Sequence, residues 1–189
     1  MANGKSKCVV TVADGASRQG RDPFARPGMP GNRWLQFGCD GAFPDKLQPK
    51  LDKAVDLAYQ LANKKHFTDE FDKLVAAAAK GKTTRSYLDA LNAITLNLAE
   101  GSSDKTVQQE LKEAIEAKKQ DSNYQIEGGF TVVATGNVYL REFAMKGWTE
   151  RQLAGLISHE ATHVAGAPGD LFTEVLLAGL DAFGYPRRP

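Results

Sequence analysis

Apolar residues recur at helical spacing through most of the middle of the chain. Leu51, Ala54, Val55, Ala58, Leu61 and Ala62 return every three or four positions behind Pro49, a residue suited to a helix's first turn. The same period predicts a second helix from Thr68 through Phe71, Leu74, Val75 and the alanines 76–79 to Gly81. A third is predicted from Thr83 or Thr84 through Tyr87, Leu88, Leu91, Ile94, Leu96 and Leu98 to Gly101. Asp104 opens a fourth, whose stripe of Val107, Leu111 and Ile115 is thin and whose many charges form a solvated face. Thr149 and Gln152 have capping-box spacing for a fifth, with Leu153, Ile157, Ala161 and Val164 on one face and Gly166 as its stop. Beyond Pro168 and Gly169 a mostly apolar helix is predicted over 171–183.

Alternation replaces the helical period in three places. The β-branched run 8–13 stops at Asp14-Gly15 and predicts a short strand. Residues 130–134 and 137–140, either side of Thr135-Gly136, predict a hairpin. Between 17 and 44, Gly20, Pro23, Pro27, Gly28, Pro30 and Gly31 break any period, so this stretch is expected to be loop, laid over the domain through Phe24, Trp34 and Phe37. The pattern as a whole predicts an irregular arm over 1–44 and one mainly α domain with a small β-hairpin over 45–189, an α+β class.

A composition of 42% hydrophobic and 25% charged residues over 189 positions supports one globular domain with a real core. The net charge of +1 gives no global argument for a nucleic-acid or membrane partner. The local excess of Lys5, Lys7, Arg18, Arg21, Arg26 and Arg33 over Asp14 and Asp22 is read as a solvated loop. The first residues lack an apolar signal core, and the run at 8–12 is too short to span a membrane. The expectation is therefore no signal peptide and no membrane span, with the protein cytoplasmic in its producer or exported by a signal-independent system. Cys8 and Cys39 permit at most one disulfide, whose formation depends on compartment, and cannot form a Cys₄ metal site.

The densest chemistry lies at His159-Glu160-Ala161-Thr162-His163, an HExxH motif on the fifth predicted helix. Residues four apart share a helix face, so the two imidazoles can reach one ion while Glu160 sits beside them as general base for an activated water. Imidazole ligands on one helix suit Zn²⁺, and a catalytic zinc needs a third protein ligand plus an open position. Two carboxylates compete for that place. Asp170 follows the Pro168-Gly169 turn and would otherwise cap the next helix, while Glu174 would otherwise orient a ligand or attract a basic side chain. At about 100° per residue, Asp170, Glu174 and Asp181 fall within about 40° on that helix, an acidic stripe that needs a cation. His66 has no neighbour at ligand spacing and is read as a surface histidine.

The run from Thr131 to Asp170 resembles the aspzincins, the deuterolysin and peptidyl-Lys metalloendopeptidases that also occur as toxin domains of bacterial effectors. Val138-Tyr139-Leu140, Phe143 and the Gln152-Leu153-Ala154-Gly155 approach to the HExxH carry the likeness. The resemblance implies a zincin-like metallopeptidase, a single Zn²⁺ held by His159, His163 and Asp170, and Glu160 as base. It extends to an effector toxin acting on a peptide or protein substrate and neutralised by a cognate immunity or inhibitor protein. Where the family has Gly-Thr-x-Asp, this chain has Gly166-Ala167-Pro168-Gly169-Asp170, one residue longer, and Leu171 to Thr173 stand where a tyrosine usually follows. Oxyanion help is therefore expected from Tyr139 or Tyr185, and Arg141 stands where the family often has a cysteine. Two rivals to a zinc-dependent endopeptidase are a metal-binding or pseudo-enzymatic interaction domain and a zinc amidase acting on a non-protein amide such as cell wall.

Overall fold

A computed structural model describes residues 36–38 and 43–180. The described residues are mainly helical with a small sheet, so the α+β expectation holds at that level. Helix α1 (Gln48–Ala62) begins with proline in its first turn, as its sequence predicts. Helix α2 (Lys65–Ala78) starts ahead of Thr68 without a side-chain cap, because Phe67 is drawn into the core against Phe71, their rings 5.8 Å apart. His66 is an exposed residue on this helix.

The predicted third helix is only half a helix. Ser86, not Thr83 or Thr84, caps α3 (Tyr87–Asn92) by accepting from the Asp89 backbone N–H. The chain then leaves the helix and forms strand β2 (Thr95–Leu98). Leu96 and Leu98 satisfy helical spacing, but they also alternate, and long-range pairing decides between the two readings. Strand β2 lies between β1 (Gln36–Phe37) and β4 (Asn137–Leu140), parallel to both. Part of the stretch expected to be irregular thus contributes a strand, with Phe37 packed on the core.

The hairpin of β3 (Gly129–Val132) and β4 pairs Gly129 with Leu140, Phe130 with Tyr139 and Thr131 with Val138. Val133 and Ala134 belong to its turn rather than to the strand. The strand order is β1-β2-β4-β3, a four-stranded mixed sheet of which the sequence predicted β3 and β4. Parallel pairing between segments far apart in sequence leaves no local turn signal, which is why β1 and β2 escape a local reading.

Helix α4 (Lys105–Gln120) is capped by Asp104, whose carboxylate accepts from the backbone N–H groups of Thr106 and Val107. It covers one face of the sheet, where Val107, Ala99 and Tyr139 form a small cluster with Leu111, Phe130 and Val132. The other face meets the main core. After the short α5 (Glu142–Gly147), α6 (Glu150–Ala165) runs through that core, packed against α1, α3, β3 and α7 (Asp170–Gly179). Helix α7 starts one residue sooner than a cap at Asp170 would allow, and it ends at Gly179, short of residue 183. Tyr87 ties three of these elements together. Its ring sits edge-on to Phe67 and Phe71, and its hydroxyl donates to the Ala58 carbonyl and bonds Ser158 Oγ at 2.7 Å. Burial pushes the Tyr87 phenol's proton affinity well up, with the Ser158 bond opposing, so the hydroxyl stays neutral. The run at 8–13, Phe24, Trp34, both cysteines, Asp181 and Tyr185 lie outside the described residues.

Tyr87→Phe keeps the ring packing and removes the Tyr87 hydroxyl's bond to the buried Ser158 hydroxyl and its donation to the Ala58 carbonyl. Urea denaturation should show a loss of about 1–3 kcal/mol, the cost of leaving a buried polar group unsatisfied. Unchanged stability would show that this junction does not anchor α6.

Candidate metal centre

Helix α6 has both of its ends fixed by the local sequence. Thr149 and Gln152 close a reciprocal capping box at its start. Gly166 ends it at φ 109°, in the left-handed region that a glycine enters without strain. Between these ends, 150–165 is buried on almost every side, so His159 and Glu160 sit within the core's edge rather than on an open face. His163, one turn later, is half-buried.

The chain then turns at Gly166 and enters α7 at Asp170. Gly169, not Asp170, occupies the cap position, and Asp170 stands in the first turn of α7, where a negative charge is favourable. This turn carries the Asp170 carboxylate back over α6. Its Oδ1 lies 3.2 Å from His159 Nε2 and 2.9 Å from His163 Nε2, and the two imidazole nitrogens are 3.1 Å apart. One acceptor and two ring nitrogens therefore form a nearly equilateral triangle.

Hydrogen bonding alone does not satisfy that triangle. If both Nε2 atoms carry protons toward Asp170, neither can accept from the other, and two N–H groups are opposed at 3.1 Å. A central cation satisfies all three lone pairs at once. Ligands bonded at about 2.0–2.1 Å to a tetrahedral ion are themselves about 3.4 Å apart, close to the three separations seen here. Among the described residues, His159, His163 and Asp170 are the one group of this kind whose ligand atoms gather within 4.8 Å. The group can hold a metal ion. Its His159 side is buried and its Asp170 side chain is 54% exposed, so the site is sealed from below and open to solvent from above.

The electrostatics follow from this placement. Burial raises the proton affinity of Asp170, but the hydrogen bond from His159 and the charges of His163 and His159 outweigh it, leaving the carboxyl below its usual range. Glu160 is the opposite case. Almost wholly buried, it is pushed up to about 8 by loss of hydration, with Glu127 and Asp170 adding repulsion and a hydrogen bond from Thr131 opposing.

Of the other predicted site residues, Glu174 lies one turn along α7 from Asp170, half-buried and outside the ligand triangle. Tyr139 is not brought to the site. Successive side chains on β4 point to opposite faces, and Val138 and Leu140 join the main core while Tyr139 stacks on Phe130 beneath α4. It sits across the sheet from the histidines. Tyr185 falls outside the described residues. The residue that sequence reasoning passed over is Thr131, whose Oγ1 donates to Glu160 Oε2 at 2.7 Å. Alternation in the hairpin does place Thr131 on Val138's face, toward α6, but nothing local identifies Glu160 as the group it meets.

No protein family, curated protein or solved structure matches the chain.

A carboxyl whose folded-state proton affinity is raised destabilises the fold at neutral pH. Between its ordinary value of 4.5 and about 8, Glu160 of the metal-free fold keeps a proton that the unfolded chain has released, so stability falls as pH rises through that window. Chelator-treated protein should therefore lose a few kcal/mol, seen as a falling Tm, from about pH 5 to about pH 8. Glu160→Gln should flatten that slope. A slope equally steep in the glutamine variant would assign it to other groups.

Proposed function

We propose that the chain is a zinc-dependent endopeptidase of the aspzincin kind, with His159, His163 and Asp170 as ligands and Glu160 as general base. The observation that carries this reading is the convergence of two imidazoles and one carboxylate beside a buried glutamate on the same capped helix. Two nitrogens and one oxygen, leaving a coordination position open to solvent, match the donor set of a catalytic zinc better than that of a structural one. A bound Zn²⁺ would polarise the scissile carbonyl and make its water acidic near neutral pH.

The chain's own groups supply the rest. Glu160 accepts the proton of the attacking water and returns it to the amide nitrogen as the C–N bond breaks, so that proton and electron pair both leave with the amine. Strand β3 positions the substrate. It is the end strand of the sheet, and among the described residues no strand pairs with its outer side, so an extended peptide can add there and run past the metal. By the same resemblance the protein acts as an effector toxin, with an immunity or inhibitor protein as its partner. Among the described residues no helix is long and apolar enough to cross a membrane.

Glu160→Gln should keep its zinc and lose hydrolysis of casein or a peptide library, because the amide retains the shape without the basic oxygen. Cleavage of peptidoglycan but not polypeptide by the wild-type protein would identify an amidase instead. Stoichiometric zinc with no hydrolysis of either would leave an interaction domain.

Competition with a zinc chelator distinguishes the two carboxylates. Loss of a ligand should weaken binding by more than the roughly 10- to 100-fold typical of a supporting residue. Asp170→Ala is expected to exceed that range and Glu174→Ala to stay within it. The reverse order would make Glu174 the ligand.

A further inference from the structure

Glu160 is held from across the core, and the strand that holds it is the one placed to receive substrate. Glycine at 129 lets β3 lie close against β4. A Cβ there would lie 2.9 Å from the Tyr139 carbonyl oxygen and 3.2 Å from Leu140 Cδ2, so a larger residue would disturb the pairing of β3 with β4, while Leu156 Cδ2 on α6 lies at an ordinary contact distance of 3.5 Å. Two positions on, along the same face of β3, Thr131 reaches the glutamate. It donates its hydroxyl proton to Oε2 at 2.7 Å, while Glu160 itself is only 3% exposed.

The chemistry of this contact is specific. A threonine hydroxyl is a donor on a β-branched side chain, whose χ1 is restricted in a strand, so its aim is fixed by the backbone. Glu160 has rotatable bonds and carries the group that must meet a water beside the metal. A bond to one oxygen leaves the other free for that water and removes the rotamers that would turn the carboxylate into the core. Serine would retain the donor without the rotamer restraint, and valine would retain the shape without the donor. Glu127 and Asp170 both repel a charged Glu160 from their own sides, so Thr131 is the attractive contact that opposes them.

We propose that Thr131 is the positioning residue for Glu160, coupling the base to the strand on which the substrate lies. The proposal rests on the zinc-peptidase reading for its functional consequence, while the contact itself is testable without turnover. Three zinc-loaded proteins serve: wild type, Thr131→Val and Thr131→Ser. Crystal structures should show the Glu160 carboxylate displaced or split between rotamers in the valine variant and restored in the serine variant. With casein or a quenched peptide as substrate, Thr131→Val should lower kcat by about 10- to 100-fold, the range for groups that orient a catalytic residue. KM and zinc affinity should change little, and Thr131→Ser should recover most of the loss.

A Glu160 carboxylate that keeps its place in the valine variant overturns the proposal, whatever the activity. So does a kcat unchanged by valine, or a loss that serine does not repair. Wild-type protein that cleaves nothing would sink the peptidase reading alone, since the carboxylate's position in the three structures would still decide the role of Thr131.

Discussion

The candidate site depends on one constraint: a helix that carries two candidate ligands must be locked along its length and about its axis before a third from elsewhere can meet them. Helix α6 meets this by having its ends chosen locally and its faces chosen globally. The Thr149–Gln152 box and left-handed Gly166 define where it starts and stops. Burial between α1, α3, α7 and the sheet fixes its rotation. The Tyr87 hydroxyl, bonded to both α1 and Ser158, registers it one residue before the first histidine. An i, i+4 pair on such a helix presents both Nε2 atoms at one point, and the Gly166 turn returns Asp170 to that point on the next helix.

That arrangement explains how a mostly apolar helix tolerates its polar centre. His159 and Glu160 are buried neighbours whose charges the surrounding core disfavours. Asp170 supplies a compensating charge to the histidines from the solvent side, and Thr131 supplies a hydrogen bond to the glutamate from the strand side. The polar residues at the centre thus have contacts from two different elements. The two contacts are divided between elements, with α7 bringing Asp170 to the histidines and β3 bringing Thr131 to Glu160.

What the sequence reveals follows the range over which each feature is specified. The capping box, the glycine stop, the Asp104 cap and the i, i+4 histidines are local, and each is found where its residues predict. The stretch 94–98 is not local. Its leucines satisfy both periods, and only pairing with β1 and β4 makes it a strand. Tyr139 shows the same limit at the site. It is on a correctly predicted strand, yet both faces of that strand are buried, so apolar alternation could not tell which face meets α6. Thr131 reads as an ordinary β-branched strand residue because its partner is in an element packed against the sheet, not beside it in sequence. Asp170 and Glu174 are two candidate ligands on one predicted face; the break at 166–169 brings Asp170, and not Glu174, to the histidines.

The central claim is that three side chains form the shell of one ion. Anomalous scattering from crystals of the zinc-loaded protein, recorded on either side of the zinc absorption edge, tests it most directly. The account predicts a single strong peak at bonding distance, about 2.0–2.2 Å, from His159 Nε2, His163 Nε2 and an Asp170 carboxylate oxygen. A peak elsewhere, or a fully loaded crystal in which either histidine or Asp170 lies outside bonding distance, would contradict it.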